Sequence, residues 1–143
     1  MTIETKIKEA CALYLLDARE PDIVRFVDQL FHLAAENGNL AGVLDGDKSF
    51  RLVVRPPRPG RRMGLAPAPA KSQAACIVEH EAARSVLRMI CARLGVLCKE
   101  RTATEISLYG DKAVMDYDVP EHRRWSVSFT NTPQHQEFLL EAL

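Results

Sequence analysis

The chain has no run of 18 consecutive apolar residues, so no segment is long enough to cross a bilayer as a helix. Its first stretch, MTIETKIKEACALYLLDARE, holds no apolar core followed by a small-residue cleavage site, as an export signal requires. GxSxG, GxxxxGK[ST] and GxGxxG are all missing. That removes the serine-hydrolase elbow and both glycine-rich phosphate cradles. Net charge is also missing, with 19 basic and 19 acidic residues, which disfavours a wholly basic nucleic-acid binder.

What remains is ordinary globular material. Of 143 residues, 47 % are apolar and 27 % charged, which is the composition of one folded domain. A domain of this size buries roughly 70 % of its unfolded surface, so no disulfide or metal is needed to hold it. Without an export signal, the four cysteines are expected as reduced thiols and the chain as cytoplasmic. Cys11, Cys91 and Cys98 lie in apolar runs, where cysteine behaves as a small hydrophobe.

Periodicity predicts a helix over 3–17, with Leu13, Leu15 and Leu16 widening its apolar face. Pro21 opens a second helix, whose stripe is Ile23, Phe26, Val27, Leu30, Leu33 and Ala34, and Asn37-Gly38 ends it. Residues 40–55 read as a hairpin about Asp45-Gly46. A third helix is predicted over 77–95, with Ala83, Val86, Leu87, Ile90 and Leu94 on one side and Gly95 as its end. Strands are predicted over 104–109, 113–119 and 124–130, separated by turns at Gly110-Asp111 and Pro120-Glu121-His122. Thr132-Pro133 then starts a last helix. The expectation is α+β, an antiparallel sheet of about five strands covered by helices, in the order α-α-β-β-α-β-β-β-α. From the second helix onward this order resembles the roadblock/profilin-like class of small domains. The likeness implies a fold and no function.

Residues 56–75, PPRPGRRMGLAPAPAKSQAA, are proline-rich and aperiodic, a long loop within the single domain. Over 51–75 there are six bases and no acid, between an acidic 1–50 and an acidic 105–143. Arg51, Arg55, Arg58, Arg61, Arg62 and Lys71 form this basic strip. Arginine's planar fork suits carboxylate or phosphate, although a solvated linker has the same composition. No aromatic residue interleaves the arginines, which weakens base stacking on nucleic acid. Pro56 to Arg61 also fits a PxxPxR polyproline ligand. Arg84 and Arg88 share one face of the third helix, and a loop folded over them gives one basic surface. His122, Arg123 and Arg124 add a smaller basic spot.

Other chemistry is thinner. His80-Glu81-Ala82-Ala83-Arg84 begins like HExxH but ends in a cation, which ligates no zinc. Cys76, just before a predicted helix with His80 one turn on, is a candidate thiol nucleophile and base; an inert loop cysteine has the same spacing. Asp111, Asp116 and Asp118 are candidate paired carboxylates, or the wet face of a sheet. No metal and no cofactor are expected. The leading expectation is a non-enzymatic protein-interaction module, adaptor or regulatory, that self-associates as a homodimer. Binding of nucleic acid or an acidic partner through 51–71 is the second, with Arg55, Arg58, Arg61, Arg62, Arg84 and Arg88 as binding residues. A small thiol enzyme using Cys76 and His80 is the third.

Overall fold

The computed structural model describes residues 2–45, 49–55, 76–118 and 123–143. Two helices open the chain, α1 (Ile3–Tyr14) and α2 (Glu20–Asn37). Thr2 caps α1 by accepting from the Thr5 N–H at 3.2 Å. Pro21 lies in the first turn of α2, and the helix ends at Gly38, whose φ of 123° is open to glycine at little cost. Then come β1 (Asn39–Asp45), β2 (Ser49–Arg55), β3 (Cys76–Glu81), α3 (Arg84–Arg101), β4 (Gly110–Tyr117), β5 (Arg123–Asn131) and β6 (Gln136–Ala142).

The protein is α+β, with six strands rather than about five. They form one antiparallel sheet in the order β3-β2-β1-β6-β5-β4. The three helices contact the sheet from one side. The residues beneath them are every second one along each strand: Leu40, Phe50, Leu52, Val54, Val78, Met115, Trp125, Val127, Phe138 and Leu140 are all buried. They meet the predicted stripe of α2, which is wholly buried. Phe31 stacks edge-on against Trp125 at 4.9 Å and tilts against Tyr117 at 4.8 Å. Cys11, Cys91 and Cys98 are core residues, as their apolar surroundings require. Among the described residues no helix is long and apolar enough to cross a membrane.

Several segments differ from expectation. Residues 76–81 are a strand, not the start of a helix, because Ile77 and Val78 are β-branched and the segment completes a ladder with β2. The helix begins at Arg84 and runs past Gly95 to Arg101. Gly95 is a contact point rather than an end: a Cβ there would lie 3.1 Å from the Phe129 ring. Residues 102–109 carry no strand, and Gly110-Asp111 opens β4 instead of forming a turn. Thr132 does cap, but it caps a tight turn. Its Oγ1 accepts from the His135 N–H at 3.1 Å, and the chain returns as β6 in the middle of the sheet. The widened apolar face expected of the first helix is only partly buried: Leu15 packs inside, while Leu13 and Leu16 are exposed. The turns at 46–48 and 119–122 and the segment 56–75 lie outside the described residues.

Candidate functional site

The same register that buries one face defines the other. Ile77 pairs with Val53, Val53 with Ala41, Ala41 with Leu139, and Leu139 with Ser128. These residues form one row across five strands on the face that no helix covers. Among the described residues no element packs on this face. Successive side chains point to opposite faces of a strand, so the parity that places Phe50, Leu52 and Val54 inside places Arg51, Val53 and Arg55 outside. Ile77 remains 54 % exposed. A trough of about 530 Å³ lies over the middle of the row, bordered by Ala41, Val53, Leu139, Arg51, Arg55 and Glu137. A wet antiparallel face ordinarily reads as polar; here the centre of the row is apolar and the charges stand around it.

The arginines fall into separate groups. Arg55 ends β2 opposite Asn39, exposed on the open face. Arg84 starts α3 and donates through Nη1 to the Pro133 carbonyl at 3.0 Å. Pro133 precedes β6, whose first residues pair with the far end of β1, Val43 with Glu137. Arg55 and Arg84 therefore stand at opposite ends of the strands and on opposite sides of the sheet. Arg88 is exposed one turn beyond Arg84. Arg58, Arg61 and Arg62 lie outside the described residues. So does His122, while Arg123 and Arg124 are exposed at the start of β5.

The thiol–imidazole pair does not form. Cys76 and His80 share a strand and stand four residues apart, about 13 Å by strand rise. Without a helix N-terminus at Cys76 there is no dipole to stabilise a thiolate. Burial raises the Cys76 thiol, and the Glu4 carboxylate adds to the rise. Burial lowers the His80 imidazole, against the opposing pull of Glu81; the ring packs edge-on against Phe50 at 5.9 Å. Cys11 and Cys91 are pushed to about 12 and Cys98 to about 11, each chiefly by burial.

The aspartates have different tasks. Asp111 accepts from the Ser107 N–H at 2.9 Å and the Lys112 N–H at 2.8 Å. Those two bonds hold its carboxyl below the usual range. Asp116 faces the open side opposite Arg124, and Asp118 lies just past the strand. On the helical side, Tyr117 donates its hydroxyl to Asp28, and the Arg101 guanidinium sits 4.9 Å above its ring. Burial and the Asp28 carboxylate push the Tyr117 phenol to about 12. That cluster joins α2 and α3 to β4.

Sequence reasoning missed the open face because two of its strands were assigned to helices. The signal was present: Gln136, Phe138 and Leu140 alternate with Glu137, Leu139 and Glu141, a period of two. No protein-family model matches the chain, and no characterised protein matches it in sequence.

Proposed function

We propose that the chain is a non-enzymatic protein-interaction module, a cytoplasmic adaptor or regulatory unit that uses the open face of its sheet and associates with copies of itself. The observation that carries this reading is the apolar row Ile77–Val53–Ala41–Leu139, which no other described element covers, on a sheet whose other face is packed by the helices. Apolar surface rimmed by charge is the common anatomy of a protein-binding patch. The trough over it offers no paired nucleophile and base among its lining residues, which favours binding over catalysis.

A photo-cross-linking residue placed at Leu139 tests the reading in the native host, with the same residue at Arg25 on the helical surface as control. Discrete protein adducts from position 139 and none from position 25 support it. Adducts from 25 alone, or from neither, refute it.

A second reading draws on Arg51 and Arg55, which border the trough. An acidic partner or a nucleic-acid backbone laid across the face meets both. This reading predicts affinity that falls steeply with salt and weakens in Arg55→Ala.

A further inference from the structure

The sheet has two edges, and they differ in what they offer a second copy. The edge strand β3 carries Glu79 and Glu81 and no lysine or arginine, so pairing it with itself has no opposite charge to bring. The edge strand β4 reads Gly-Asp-Lys-Ala-Val-Met-Asp-Tyr. Its exposed residues are Lys112, Val114 and Asp116, with Val114 45 % exposed.

The backbone of β4 has a definite outward side. Asn131 N–H donates to the Tyr109 carbonyl at 2.8 Å, one step before the paired Gly110 and Thr130. Hydrogen-bonded and non-bonded pairs alternate in an antiparallel ladder, so Asp111, Ala113, Met115 and Tyr117 point their backbone groups at β5. Lys112, Val114 and Asp116 point theirs away. Two short contacts agree with this: Gly110 N–H turns outward to the Ser107 carbonyl at 3.3 Å, and Lys112 N–H to the Asp111 carboxylate. The N–H groups of Val114 and Asp116 have no hydrogen-bond partner among the described residues.

We infer that β4 pairs with β4 of a second copy, antiparallel, about a two-fold axis at Val114. This deepens the self-association part of the reading above and rests on it. In this register Val114 bonds Val114 in both directions, and each Asp116 N–H meets the Lys112 carbonyl of the other copy. On the open face each Lys112 ammonium lies against an Asp116 carboxylate, with the two Val114 side chains between them. Two-fold pairing centred at Lys112 sets lysine on lysine, and centred at Asp116 sets aspartate on aspartate. Centring it one residue away from Val114 sets Val114 against a charge. Opposite charges across a ladder stabilise and like charges destabilise, so charge selects the Val114 register. A lone lysine on an edge strand blocks pairing. A lysine and an aspartate equally spaced about an apolar residue, on an isologous interface, do the reverse.

Sedimentation velocity over a protein concentration series tests this on wild type, Lys112→Asp, Asp116→Lys, the double exchange, and Val114→Pro. Thermal unfolding is recorded for each. The pairing predicts a dimer in wild type, weakened about tenfold or more by either single reversal and restored by the double exchange. Val114→Pro removes an N–H that no sheet bond uses, so the dimer is lost while the melting temperature holds. A dimer that survives all four variants but dissociates in Leu139→Arg overturns the edge contact and leaves self-association through the open face standing. A wild type that stays monomeric overturns the inference outright, and the adduct at position 139 then judges the interaction reading on its own.

Discussion

The two faces of the sheet are built from alternate residues of the same strands, yet they have different physics. On the covered face Trp125, Phe50, Leu52 and Leu40 are fully buried, and each side chain is fixed by its neighbours. On the open face Val53, Leu139 and Ala41 are only partly buried, and among the described residues no element packs over them. One face therefore sets stability, and the other carries the binding role proposed for it. The difference predicts that adjacent residues in one strand respond oppositely to substitution.

The largest effect belongs to the covered face. Trp125→Ala is expected to cost about 3–5 kcal/mol in urea denaturation, through lost burial and the cavity left beside Phe31. Alkaline pH should act on the same face. Tyr117 titrates near 12 folded against an ordinary 10.0, and the buried thiols of Cys11 and Cys91 near 12 against 9.0. A group whose pKa is higher folded than unfolded contributes stability that is complete below its unfolded value and lost on rising through its folded value. Stability is thus expected to hold below pH 9 and to fall between pH 9 and 12. Tyr117 contributes part of the fall, and Tyr117→Phe should remove that share from a pH series of denaturation curves.

Gly42→Ala tests the packing at the centre of the sheet. A Cβ there would clash with the Phe138 ring, which covers the glycine. The ring must shift, and the expected cost is about 1–3 kcal/mol by thermal or urea unfolding. The smallest effect is chemical. A maleimide at neutral pH should modify Cys76, the half-buried thiol, more slowly than a free cysteine. Cys11, Cys91 and Cys98 should react only on unfolding. Rapid labelling at Cys76 would revive a nucleophilic role.

How much of this was legible in the sequence depends on where the local signal and the tertiary demand agree. The α2 stripe, the hairpin arms of β1 and β2, and the alternation of β4 and β5 were readable because one periodicity dominated each. Residues 76–81 were not. Glu79 and Glu81 resemble the acidic first turn of a helix, and only the ladder with β2 makes Ile77 and Val78 a strand. Residues 136–142 were obscured by Thr132-Pro133, a helix-start signal that here closes a turn onto β6. Gly95 was misread as an end because a sequence does not show the Phe129 ring that needs its missing Cβ. The basic strip was visible by composition. Whether the strip joins the helix arginines into one surface was not readable without coordinates, which place Arg55 and Arg84 at opposite ends of the strands.

The open face is proposed to serve binding and not folding, and Leu139→Lys separates the two roles when unfolding free energy and partner adduct formation are measured on the same variant. Stability within about 1 kcal/mol of wild type is expected, together with loss of the adduct formed from a cross-linker at Val53. A loss of stability as large as that of Trp125→Ala, with the adduct retained, would contradict it.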